Sequence, residues 1–225
     1  MEDKSENTNI AINIVSGLKL SRKGVTIKDA DGHWIPIHYR QGDLDGACAV
    51  YSLMMDLLYE GVISKDDISI SSPTDKRTMK GKMLHHFLED QGLIRDGYSF
   101  KSLRQELLDY FHNKDIEVTR RDPKDQDKII QGIDDLISED TPVIISIVFD
   151  EEGSHAMLAI GTETDSAGNI NKIFCLDPDA EAPTCSYWNS VIDVSGKASY
   201  YWNIRTRDTF KVTLDDYLYI QTTDD

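Results

Sequence analysis

Apolar positions divide the chain into two regimes. Between residues 48 and 138 they recur every three or four positions, the repeat of amphipathic helices. Beyond residue 142 they gather in short β-branched blocks, the mark of buried strands. The first regime predicts four helices. One spans 48–60, with Ala49, Val50, Leu53, Met54, Leu57 and Leu58 at helical spacing and Gly61 as a stop. The others span 79–91, ended by Gly92, then 101–113 and 124–138, the last carrying Ile129, Ile130, Ile133, Leu136 and Ile137. The second regime predicts strands at 142–149, 155–160 and 172–176, with further strands at 191–194, 200–204 and 217–221. Asp165-Ser-Ala-Gly-Asn169 is a turn cluster, so residues 155–177 read as a β-hairpin with a loose loop. Short strand-like runs also lie at 10–15 and 34–39, the second preceded by a hairpin turn at Asp29-Ala-Asp-Gly32.

Helices first and strands last make an α+β pattern. A length of 225 residues fits one domain. Residues 1–8 read as a disordered lead and 9–225 as the domain, helical over about 41–140 and sheet-forming over about 141–225.

Charge removes several function classes. A formal net charge of −16 argues against nucleic acid and anionic membrane surfaces as partners, and leaves room for a basic peptide. Nothing approaches the ~18 apolar residues of a membrane span. The polar, acidic start MEDKSENTN has no signal-peptide features. The three cysteines, Cys48, Cys175 and Cys185, form no C-x-x-C pair, so neither a zinc knuckle nor a redox motif is indicated. The expected location is cytoplasmic, with export by a signal-peptide-independent route as the open alternative. The acidic runs Asp43–Asp45, Asp134–Asp135 and Asp215–Asp216 lack calcium-loop spacing and read as solvated faces. No metal or cofactor is expected, and the oligomeric state is left open.

The chemistry gathers on four residues. Cys48 follows the turn Gln41-Gly-Asp-Leu-Asp-Gly-Ala47 and opens the first predicted helix. A helix N-terminus carries about half a positive charge, which favours thiolate over thiol. His155 leads an apolar strand, and Asp177 follows the returning strand 22 residues later, just before Pro178. A hairpin brings both to one edge, so Asp177 can orient the imidazole while His155 serves Cys48 as base. Gln41 offers a side-chain amide beside the Cys48 N–H as oxyanion donors. Trp188 is placed to cover the His–Asp pair, and Asn189 to act as a second orienter. Both are assigned with Asp45 to substrate binding. His33 and His38 precede Cys48, the wrong chain order for the base. The segment from Val62 to Asp140 carries no identifiable chemistry and is expected to form one wall of the cleft.

Gln41, the Gly-Ala-Cys48 helix start, the strand-leading His155 and the strand-ending Asp177-Pro178 resemble the papain-like cysteine peptidases. They are closest to the bacteriocin-leader-processing (double-glycine) type. The resemblance covers roughly residues 40–60 and 142–180. It implies a papain-like fold, with the Cys-bearing helix of an N-terminal helical part packed on a C-terminal antiparallel sheet bearing His and Asp. It also implies hydrolysis of peptide or isopeptide bonds in a protein or peptide substrate, with Cys48 as nucleophile, His155 as base, Asp177 as orienter and Gln41 as oxyanion donor. Ala49 departs from that family's usual Gly, and the Gln-to-Cys gap of seven is one longer than expected. Asp45-Gly-Ala-Cys48 is also similar to the D-G-x-C of ovarian-tumour-type deubiquitinases, which would move the oxyanion role to the backbone of Asp45 to Ala47. The same residues are compatible with a deamidase or transglutaminase-type bacterial effector. A reading of another class is a non-catalytic, peptidase-like binding or immunity module.

Overall fold

The computed structural model describes residues 9–42, 46–68, 75–90, 97–111, 116–150, 153–203 and 207–223. The expected disordered lead at 1–8, the tail of the third predicted helix and Asp45 lie outside them.

Short strands come first: β1 (Ala11–Ile14), β2 (Lys19–Ser21), β3 (Gly24–Lys28) and β4 (Trp34–Pro36). The helix α1 (Cys48–Tyr59) follows, then α2 (Met79–His85), continued by one π-helical turn, and α3 (Phe100–Phe111). Next come β5 (Ile116–Arg121) and α4 (Gln126–Ser138). Six consecutive strands complete the chain: β6 (Val143–Phe149), β7 (Ser154–Thr164), β8 (Ile170–Leu176), β9 (Ser190–Asp193), β10 (Ser199–Asn203) and β11 (Thr209–Thr222).

Each of these six pairs antiparallel with the next, and β11 returns to pair with β6, closing a six-stranded up-and-down barrel. This overturns the expected papain-like arrangement of a helical part packed on a sheet: strand accounts for 36% and helix for 27%. The reason is closure. The pairing of Leu218 with Ile144 joins segments more than seventy residues apart, and no local pattern encodes it. Closing the sheet leaves no unpaired edge within the six strands. The region expected to be helical also contains β5, which extends the sheet along β11. At the N-terminus β1 pairs with the far end of β7, and β2, β3 and β4 form a separate small sheet. The turn expected at 29–32 joins β3 to β4, with the Gly32 N–H bonded to the Asp29 carbonyl.

Helices cover the outside of the barrel. The helix α1 rests on β6 and β7, α3 on β5 and β11, and α4 on β11, β7 and β6. β7 is therefore buried on both faces from Ala156 to Glu163, which explains its unbroken apolar run. Gly161 sits at a register shift in β7, and a Cβ there would lie 2.6 Å from the Asn13 carbonyl oxygen. Its bare backbone lets β1 approach.

Alternating strand directions bring the end of β6, β8 and β10 and the start of β7, β9 and β11 to one rim. Phe149, His155, Asp177, Asn203 and Thr209 therefore meet there, although 60 residues separate the first from the last. Among the described residues no helix is long and apolar enough to cross a membrane.

Candidate active site

Cys48 is the first residue of α1, whose N-cap, Ala47, has no capping side chain and whose first turn has no acidic residue. The orphan N–H groups at that end are left to the sulfur and the cleft. The Ala49 N–H and the Ala156 N–H both hydrogen-bond the sulfur, tying the helix start to β7. The imidazole of His155, next to Ala156, hydrogen-bonds the sulfur as well. On its far side His155 Nε2 lies 2.7 Å from Oδ1 of Asp177, which follows the last residue of β8.

Charge reinforces this geometry. Burial pushes the Cys48 thiol up, but the hydrogen bond and charge of His155 and the two backbone N–H groups outweigh it, leaving the thiol below its ordinary value. Burial alone would depress His155, yet the Asp177 carboxylate and the Cys48 sulfur raise it to about 10. Asp177, buried and penalised for it, is still held below the usual carboxylate range by His155 and by Tyr201. These directions favour a thiolate beside an imidazolium, braced by a carboxylate, over the neutral pair.

Asp177 is held from every side. Its Oδ1 also accepts the Asp179 N–H at 2.8 Å, and its Oδ2 accepts the Tyr201 hydroxyl. Asn189 Oδ1 accepts the Asp177 N–H at 2.6 Å, and Asn189 Nδ2 donates to the carbonyls of Asp177 and Glu181. His38 Nε2 lies 2.8 Å from the same Asp177 carbonyl. Burial keeps this imidazole below its ordinary value, hence neutral. The Gln41 N–H donates to the Pro178 carbonyl at 2.8 Å, so the segment before the nucleophile is stitched to the turn after the orienting acid.

Four of the residues singled out in the sequence, Gln41, Cys48, His155 and Asp177, thus come together. Gln41, Cys48 and His155 line one cleft of about 540 Å³, and the Gln41 side-chain oxygen is buried with no protein partner. Tyr98, Phe100, Lys101 and Arg120, all from the segment without recognisable chemistry, supply a wall of that cleft. The substrate-binding trio fares differently. Trp188 stacks on Phe174 at 4.0 Å, and the ring beside His155 is instead Tyr201, 6.2 Å away. Asn189 is buried, bonds the backbone of Asp177 and Glu181 and lies 3.1 Å from His38 Nε2, so it shapes the acid's turn. Asp45 lies outside the described residues.

Two acidic runs are only partly the solvated faces expected, for Asp135 and Asp215 are exposed but their neighbours are engaged. Asp216 is buried and paired with Arg120 at 2.5 Å on the cleft wall, and Asp134 accepts the Thr162 hydroxyl. Sequence reasoning also missed His38 and Tyr201. The only trace of Tyr201 was its inward place in an alternating strand, and His38 carried no signal beyond being a histidine.

No family model matches the chain, and no curated protein matches its sequence. Function is therefore read from the site.

Proposed function

We propose that the protein is a cysteine-dependent amide hydrolase whose first reaction is cleavage of a peptide or isopeptide bond. The observation that carries this reading is the hydrogen-bonded line from Cys48 to His155 to Asp177 on the wall of a cleft. The Cys48 thiolate attacks the substrate carbonyl carbon. The oxyanion takes hydrogen bonds from the Cys48 N–H and the Gln41 amide. Imidazolium His155 gives its proton to the leaving amine, and a thioester remains on Cys48. Water, deprotonated by His155, then cleaves the thioester and restores the pair.

Peptide-bond cleavage is preferred to side-chain deamidation for a spatial reason. The leaving amine must lie on the imidazole side of the sulfur. A second cleft of about 610 Å³ shares Ser154 and His155 with the first and is lined beyond them by Tyr201 and Phe210. Departing ammonia needs no such room, whereas a departing chain does. The likeness to leader-processing thiol peptidases supports this reading at the level of chemistry, not of fold.

The test is incubation with a complex peptide mixture, read by mass spectrometry, for the wild type and Cys48→Ala. New termini from the wild type alone are expected. An amide-to-acid mass change without cleavage would make the protein a deamidase, and identical products from Cys48→Ala would refute the hydrolase reading.

A further inference from the structure

Phe149, Tyr201 and Phe210 form an aromatic wall in a cleft that shares Ser154 and His155 with the one at Cys48. Phe149 and Phe210 meet edge to face at 5.7 Å, Tyr201 and Phe210 lie nearly parallel at 6.3 Å, and Phe149 and Tyr201 are 6.0 Å apart. The three come from the end of β6, from β10 and from the start of β11, so the barrel rim fixes their spacing. Tyr201 is buried, but Phe210 is 42% exposed, a large apolar ring left open to the cleft. Nearby charges are already engaged. Lys211 pairs with Asp150 at 2.8 Å, and Asp179 adds a carboxylate to the same cleft.

We infer that this cleft is the leaving-group subsite, and that it selects a large apolar or aromatic side chain on the residue that follows the scissile bond. The inference rests on the hydrolase reading above. Nε2 of His155 is held by Asp177, so the leaving amine takes its proton from the imidazole nitrogen that faces Cys48. The chain it carries departs past the ring toward the neighbouring cleft, which shares Ser154 and His155 with the first. An aromatic or branched side chain there covers the exposed face of Phe210 and gains ring contacts. An acidic side chain meets an apolar wall that cannot hydrate it. Pockets of this kind discriminate by about 10- to 100-fold.

The test compares kcat/KM for two peptides found in the mixture experiment and resynthesised with Phe or Asp after the cut. The wild type is expected to favour Phe by about tenfold or more. In Phe210→Ala that ratio should fall by about fivefold or more, while Trp34→Ala, on the separate small sheet, keeps it. A flat wild-type ratio, a preference for Lys or Arg at that position, or a ratio unmoved in Phe210→Ala overturns the subsite. A second measurement needs no turnover: protection of Cys48 from iodoacetamide by phenylalaninamide against glycinamide. Stronger protection by phenylalaninamide, lost in Phe210→Ala, supports the subsite, and equal protection overturns it. Sluggish Cys48 alkylation with no additive present instead overturns the hydrolase reading, and the two failures are thereby told apart.

Discussion

Tyr201 donates its hydroxyl proton to Oδ2 of Asp177, the carboxylate oxygen that His155 does not use. The orienting acid is therefore anchored on both oxygens, and the imidazole has one place to go. In Tyr201→Phe that oxygen is left buried and unpaired, at a cost of about 1–3 kcal/mol of stability. Tyr201 is one of the groups that hold Asp177 below its ordinary value, so its loss raises the carboxyl pKa. A depressed acid contributes stability above its unfolded pKa and loses it as pH falls through the folded value. The acid limb of the rate profile should move to higher pH, with turnover down about 10- to 100-fold. An acid limb unchanged from the wild type would deny Tyr201 this positioning role.

Asp177→Asn removes the largest influence that raises His155. With the imidazole at about 10 the ion pair persists over most of the accessible range, and the stability it brings is fully present below about pH 6.5 and lost as pH rises through 10. In Asp177→Asn the basic limb of activity should fall toward neutral pH, and turnover should drop by about 10²–10⁴. Rate profiles from pH 5 to 10 decide this.

Gln41→Ala separates oxyanion stabilisation from thiol activation. Turnover should fall by about 10²–10³. Iodoacetamide alkylation of Cys48 passes through no oxyanion, so its rate should stay at the wild-type level. A parallel loss of both would assign Gln41 to the turn that positions α1, not to the reaction.

Asp56 lies about two turns along α1 from the nucleophile, fully buried, and neither carboxylate oxygen has a protein partner. Burial first, then Glu60, pushes its pKa well above the ordinary carboxylate range. A raised acid weakens the fold as pH climbs past the unfolded pKa. Asp56→Asn should therefore stabilise at pH 8, by about 1–3 kcal/mol, and do so less at pH 5. Thermal unfolding at the two pH values measures the difference.

What could be read from the chain was the local part. Helical spacing and the Gly61 stop set Cys48 at a helix start, and a hairpin ended by Pro178 carried His155 and Asp177 to one edge. What could not be read was what depends on closure. β11 runs 14 residues, but its bulge between Leu214 and Tyr217 breaks the alternation, so only its last part looked like a strand. Without β11 pairing to β6 there is no barrel, and without the barrel Tyr201 and Phe149 have no reason to face His155. His38 was hidden differently. It acts through the Asp177 carbonyl 139 residues away, a contact that chain order cannot suggest.

The central claim is that Cys48 is held as a thiolate by His155, and alkylation read by peptide mapping tests it most directly. Cys175, sealed in the barrel, and the exposed Cys185 serve as internal comparisons in the same sample. Iodoacetamide should modify Cys48 well ahead of Cys185 at pH 6, with a rate that levels off at lower pH than that of an ordinary thiol. His155→Ala should abolish that lead. A Cys48 rate that climbs with pH like an ordinary thiol, no faster than Cys185 and indifferent to His155→Ala, would contradict the account.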